Sequence, residues 1–316
     1  MGLHMNIGYR FREFAAKFGI RALKASGFYD GYWGHWRGPM FDYAEAKGLH
    51  VLPVHYYSPI PNVAGSIDRG RRGIELDEAR NAAELNRLLN KYDAELGAIF
   101  GKSNKGPTDY DPTNQAYGPV DAGVLYAMLR ERRPRRIVEI GSGYSTLIAS
   151  AAIRANRRDD PDYKAQFTCI EPFLPSYLKA GLPEVSEIIE EPLQDVPLDL
   201  LISLGDGDLL FIDSTHVVSF GSDVVYEYLA ILPRLAKGVL VHIHDIFLPS
   251  DYPERWLKEH RFFWNEQYLL EALLAMNPSY RVELAVHAAS KLIDSIPSIA
   301  AHPTEVYPAS FWISRV

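Results

Sequence analysis

The segment RRIVEIGSGYST, residues 135–146, constrains this chain more than any other. Ile137, Val138 and Ile140 form a short β-branched run, the pattern of a strand buried on both faces. The run passes directly into Gly141-Ser142-Gly143, and a helical pattern of Leu147, Ile148, Ala151 and Ala152 follows, with Ser145 or Thr146 as the expected N-cap. A strand, a glycine turn and a helix bring backbone N–H groups close to a nucleotide-like ligand. Glycine suits the turn because a Cβ there would block the tight bend or the ligand.

A dinucleotide-binding fingerprint would place a third glycine at position 146, where this chain has Thr146. An acid, Glu139, precedes the first glycine by two residues. Beyond this segment, apolar strand patterns alternate with helical ones: FTCIE ending in Glu171, SEIIE at 186–190, DLLFID ending in Asp213, and GVLVHIH at 238–244. Helices are expected from Ser222 or Asp223 to about Leu235, and from about Asn265 to Met276, where Asn277-Pro278 stops the pattern. YRVELAVHA and SFWISRV read as two closing strands. Strands separated by helices imply a parallel sheet with right-handed crossovers. Ligands of such sheets bind outside the carboxyl ends of the strands, so the strand-end residues are the candidates for chemistry.

The motifs VEIGSGYST, CIEP, PLQDVP, LLFIDSTH and LPRLAKGVLVHIHD occur in the order and spacing of a class I S-adenosylmethionine (SAM)-dependent methyltransferase core. The resemblance covers roughly residues 115–316, and HDIFLPSDYP and FWNEQYLLEALL look similar to segments of bacterial methyltransferases with mostly unassigned acceptors. It implies an α/β fold: a Rossmann-like doubly wound sheet of seven strands with an antiparallel last hairpin, spanning 116–316. An N-terminal helical and irregular cap would span 1–115. It implies SAM as cofactor, held by Glu139, by Gly141, Ser142, Gly143, Tyr144, Ser145 and Thr146 of the turn, by Glu171 at the ribose, by Gln194 and Asp195 at the adenine, and by Asp213. Tyr117 and Gly118 are weaker candidates to close that site. In small-molecule O-methyltransferases related to catechol O-methyltransferase, an Asp and an Asp-Asn pair at these strand ends bind Mg²⁺. The matching residues here are Asp213, His244 and Asp245, and an imidazole is a poor ligand for Mg²⁺.

His216 lies three residues after Asp213 and adds a second imidazole near the same rim. Besides the reading of His216 and His244 as purely structural histidines, Asp213, His216, His244 and Asp245 fit two chemical roles. One is a metal-free general base, with His216 or His244 taking an acceptor proton and Asp245 or Asp213 orienting the ring. The other is a mixed His/carboxylate site for a divalent metal. Strand alternation places His242 deeper on the same face as His244, as a core histidine. The aromatic-rich segment at 27–61 reads as irregular structure packed as a lid, with His35, His55, Tyr56 and Tyr57 as candidate acceptor-lining residues. Leu85, Leu88, Leu89, Tyr92, Leu96 and Ile99 mark a structural helix capped by Asp77.

Composition narrows the partners. A net charge of −7 argues against nucleic acid as the main partner; the small-molecule acceptor is what the methyltransferase resemblance implies. The single cysteine, Cys169, allows no intrachain disulfide, and no apolar run approaches a membrane span. The expectation is a cytoplasmic protein without a membrane partner, with a homo-oligomer left open. The competing readings are a nicotinamide-dependent oxidoreductase on a Rossmann core, a metal-dependent enzyme using the His/Asp cluster, and a non-catalytic protein that keeps the fold.

Overall fold

The computed structural model describes residues 7–25, 39–50, 52, 54, 58–63, 73–103 and 105–316. The chain divides into two compact units, Met1–Ile67 and Asp68–Val316. In the first, the helices among the described residues are α1 (Ile7–Ala25) and α2 (Pro39–Glu45). His35, His55, Tyr56 and Tyr57 lie outside the described residues.

The second unit opens with α3 (Glu78–Phe100), capped by Asp77, whose carboxylate accepts from Arg80 N. Then come α4 (Pro119–Arg132), β1 (Arg136–Ile140), α5 (Tyr144–Asp159), β2 (Gln166–Ile170) and β3 (Glu187–Ile189). Next are α6 (Leu198–Ile202), β4 (Leu209–Ile212), α7 (Asp223–Tyr226) and β5 (Leu240–Ile243). The chain closes with α8 (Glu266–Leu274), β6 (Tyr280–Ala285), α9 (Val286–Ala289), α10 (Pro297–Ala300) and β7 (Phe311–Arg315), besides shorter turns. The seven strands form one sheet in the order β3-β2-β1-β4-β5-β7-β6. The first five are parallel; β7 runs antiparallel between β5 and β6. A dinucleotide fold carries a parallel sixth strand beside the fifth. The inserted antiparallel β7 therefore departs from the oxidoreductase alternative.

Alternation along the strands fills both faces of the sheet. Ile137, Phe167, Phe211 and Trp312 pack with α3, α4 and α5. Val138, Ile140, Leu210, Ile212, Val241 and Ile243 form the opposite core with residues of α6, α7 and α8. His242 is fully buried on the first face, stacked on Trp312 with ring centroids 4.5 Å apart. Burial holds its imidazole well below the ordinary value, so it is a neutral core residue.

Three local expectations are corrected. The glycine-turn helix begins at Tyr144 with Gly143 as N-cap, because the Thr146 hydroxyl reaches back to accept from Gly143 N at 3.0 Å and so works from the third helical position. The helix expected over 222–235 is α-helical only to Tyr226; it widens into a π turn at 227–231 and tightens around Pro233, which has no N–H to continue the ladder. The strand expected over YRVELAVHA ends at Ala285, where the chain turns into α9.

Asp121 ties the layers together. Fully buried in the first turn of α4, its carboxylate accepts from Ala309 N, Ser310 N and the Ser310 hydroxyl, just before β7. Asp121→Asn keeps the shape but turns an NH₂ donor toward these donors. We expect a loss of about 3 kcal/mol in urea unfolding. A loss below about 1 kcal/mol would mean that the carboxylate is not the anchor.

Candidate active site

The site is set by where the parallel strands stop. In the register Ile140 pairs with Ile212, and Ile212 with Ile243, so the residues that follow them come off the sheet side by side. Asp213 N donates to the Ile140 carbonyl, and His244 N to the Ile212 carbonyl. Gly141 turns at φ +80°, and a Cβ built there would lie 1.8 Å from the Asp213 carbonyl oxygen. No side chain fits between the turn and the end of β4.

Above this turn lies a cleft of about 280 Å³. Gly141, Ser142, Gly143, Tyr144 and Ser145 form one side of it, with Glu171 and Asp213 also in the lining. Ala116, Tyr117, Pro175 and Tyr177 complete the wall, and the Tyr144 and Tyr177 rings lie 5.4 Å apart. Glu171 is anchored from both sides: Oε1 accepts from Phe173 N at 2.7 Å, and Oε2 from Ser142 N at 3.3 Å. One carboxylate thus joins the end of β2 to the glycine turn.

The other sequence candidates fall outside the lining. Thr146 and Glu139 sit beneath the turn. The Thr146 hydroxyl donates to Glu139 Oε2 at 2.6 Å, and Cys169 Sγ lies 3.5 Å from the same oxygen. Burial pushes the Glu139 carboxyl up to about 7. Gln194 and Asp195 are exposed on the short turn at 193–195; Gln194 Nε2 donates to the Gly221 carbonyl, linking that turn to the loop after β4. Gly118 caps α4 away from the cleft, whereas its neighbour Tyr117 lines it.

Beyond Asp213 the rim carries a compact polar cluster. One ligand atom each from Asp213, His216 and Asp245 lie within 4.8 Å of one another. His216 Nε2 is 3.3 Å from Asp213 Oδ1 and 3.6 Å from Asp245 Oδ2. The third member of this group is His216 rather than His244. His244 Nε2 lies 3.7 Å from Asp245 Oδ1, and its ring leans on Tyr117 at 4.7 Å. His216 and Asp245 both adopt positive φ, +60° and +55°, a region non-glycine residues seldom occupy without strain.

Charge is crowded here. Burial opposes a charged His216, but Asp213, Glu266 and Asp245 outweigh it and hold the imidazole well above its ordinary value. Burial likewise opposes an ionised Asp213, yet His244 and His216 keep its carboxyl below the usual range. Burial pushes Asp245 up to about 6. Glu266, fully buried, meets His216 Nδ1 through Oε2 at 2.8 Å. Sequence reasoning gave Glu266 no role; the one available signal was an Asn-Glu pair opening the helix that starts near residue 265.

A methyltransferase-domain family model matches residues 138–246. An uncharacterized protein of Archaeoglobus fulgidus is 30% identical over 165 residues, 48% of this chain and 72% of that one. Among solved structures, the SAH-bound methyltransferase PaMTH1 of Podospora anserina is 19% identical, with 80% of this chain and 99% of that chain covered and a TM-score of 0.41. An O-methyltransferase of Bacillus cereus in complex with SAH is 15% identical, with 77% and 93% covered and a TM-score of 0.36. The matched domain runs from β1 to just past β5, the part of the sheet that carries the glycine turn, Glu171, Asp213 and Asp245. With the antiparallel β7 inserted beside it, this sheet has the class I topology. The chain therefore carries a methyltransferase domain over residues 138–246, on a sheet with the fold of the class I S-adenosylmethionine-dependent methyltransferases.

Proposed function

We propose that the protein moves the methyl group of SAM to an oxygen of a small-molecule acceptor, held at the rim beside His216 and Asp245. The observation that carries this reading is the continuity of one cleft, from Glu171 through the glycine turn to Asp213, with His216 immediately beyond. The residues fit the cofactor. Gly141 and Gly143 leave a side-chain-free floor in the cleft. Each Glu171 oxygen accepts one backbone N–H and keeps a lone pair for a vicinal ribose hydroxyl. SAM, when bound, supplies an electrophilic sulfonium methyl that transfers in a single in-line displacement.

The chain's own work is positioning and proton transfer. The glycine turn and Glu171 fix the donor. Tyr117, Tyr144 and Tyr177 wall the cleft against water. His216 Nε2 accepts the acceptor's hydroxyl proton as the new oxygen–carbon bond forms, an effect typically worth about 10²–10⁴-fold. Asp213 and Asp245 stabilise the resulting imidazolium. His244 is the nearby imidazole that favours an ionised Asp213.

A second role for the cluster is favoured by one observation. Three donor atoms converge, and the histidine among them has its other nitrogen on a carboxylate, as metal-bound histidines do. Asp213, His216 and Asp245 would hold the cation. Two carboxylates and an imidazole suit manganese, iron or zinc better than magnesium. Such an ion would polarise the acceptor oxygen. Chelation followed by re-addition of Mn²⁺, Zn²⁺ or Mg²⁺, with labelled methyl transfer as readout, separates the roles: full activity in chelator supports the base alone.

Isotope-labelled SAM with a panel of hydroxylated small molecules tests the reaction itself. Glu171→Ala is expected to weaken SAH binding about tenfold to a hundredfold by calorimetry, the loss of hydrogen bonds to a charged acceptor. His216→Ala should slow transfer by about 10²–10⁴-fold while SAH affinity stays within about twofold. The pH profile gives a further check. A base must be neutral at Nε2, and His216 is held above its ordinary value, so kcat should rise with pH through an inflection above 6.5. Asp213→Asn removes one raising charge and should move that inflection down. An inflection that ignores this change would remove His216 as the base.

A further inference from the structure

The motif FWNEQYLLEALL enters the roles above only through the contact of Glu266 with His216, yet three of its adjacent residues grip His216 from three directions. The Trp264 ring lies 4.4 Å from the His216 ring, centroid to centroid. The backbone N–H groups of Asn265 and Glu266 both donate to the His216 carbonyl, at 3.0 and 3.2 Å. Glu266 Oε2 lies 2.8 Å from His216 Nδ1, across 50 residues of sequence. The Asn265 side-chain oxygen also accepts from Val218 N, so the loop after His216 is held by the same segment. A histidine at positive φ persists when its surroundings over-determine it, and these contacts do so.

We propose that Glu266 is the positioning residue of His216: it fixes the ring proton on Nδ1 and so commits Nε2 to face Asp213, Asp245 and the reacting hydroxyl. What Nε2 then does rests on the methyl-transfer reading; where the ring proton sits does not. The carboxylate is itself immobilised, because the Tyr228 hydroxyl donates to its other oxygen at 3.1 Å. Its one ion-pair partner among the described residues is His216.

A plain structural role is a weaker account. An acid in the first turn of a helix gains about 0.3–1 kcal/mol from the helix dipole, most simply from an exposed position. Glu266 is 0% exposed, and burying a carboxylate costs several kcal/mol, which exceeds that gain. A second buried acid, Glu227, lies close enough for its carboxyl to be raised by Glu266 as well as by burial. Two buried acids near one imidazole are expensive as scaffolding. They make sense where one accepts from a ring that must be held in one orientation and tautomer.

The test is ¹⁵N–¹H correlation of the histidine side chains in the full-length protein, followed up the pH range, with SAH calorimetry on the same samples. In the native protein we expect His216 to carry an Nδ1-bound proton: slowly exchanging in the charged ring, and still on Nδ1 in the neutral ring. Glu266→Gln keeps an acceptor at that position and should preserve this pattern. Glu266→Ala should move the neutral-ring proton to Nε2, with SAH affinity within about twofold of native. A native His216 protonated on Nε2 alone overturns the proposal, as does a folded Glu266→Ala variant with an unchanged pattern. Should Glu266→Ala fail to fold, the native and Glu266→Gln spectra decide: Nδ1 protonation in both supports the proposal, and its absence from either overturns it. Failure of the native protein to bind SAH would fell the methyl-transfer reading while leaving the placement of the ring proton to be read from the same spectra.

Discussion

The closeness of the glycine turn to the end of β4 is the constraint on which the site depends. The turn and β4 come off neighbouring strands, and the gap between Gly141 and the Asp213 carbonyl has no room for even one carbon. The cleft floor and the polar rim are therefore two backbone segments in direct contact. Glu171 pins the far side of the same turn, through Ser142 N. Were the turn raised by a side chain, the cleft would separate from Asp213, and a methyl donor over the turn would lose its line to His216. Parallel register, not any one hydrogen bond, makes the two halves of the site contiguous.

That contiguity concentrates charge. Asp213, Asp245 and Glu266 surround His216, and positive φ at His216 and Asp245 adds backbone strain. Buried ionic clusters seldom raise stability over an apolar core of equal volume. Strain and uncompensated burial gather at functional sites because the rest of the fold can bear their cost. Here the compensation is visible in Asp121 behind the rim and in two continuous apolar cores on the two faces of the sheet. A sulfonium brings one positive charge to this acidic rim, so the electrostatics favour the cationic donor over its neutral product.

Much of this was legible in the sequence, for reasons that can be named. Buried parallel strands are short apolar runs, so β1, β2, β4 and β5 stood out, and their ends marked Glu171, Asp213 and His244-Asp245. Alternation alone placed His242 in the core. The same alternation puts Glu139 on the face of Ile137, which α5 covers, and this is why it lies under the turn instead of in the cleft. The motif position outweighed the facing rule there. Thr146 was visible as the residue replacing a third glycine, but its hydroxyl bridge between Gly143 N and Glu139 depends on side-chain direction, which spacing does not encode. The break after Tyr226 was hidden because Pro233 sits close to the expected helix end, where proline is common.

Glu266 was illegible for a different reason. Its meaning comes from a contact made only when the chain returns along the face opposite α3, α4 and α5, after β5 and a long connection. Local pattern identifies α8 as a helix; it does not say that the first turn of α8 meets the loop after β4. This division has a chemical consequence. On the proposed methyl-transfer reading, the turn after β1 and the acid after β2 handle the donor, while β4, β5 and the start of α8 handle the proton. The grip of Trp264, Asn265 and Glu266 on one histidine shows how a loop residue, rather than a strand residue, can be held firmly enough for the role proposed for His216.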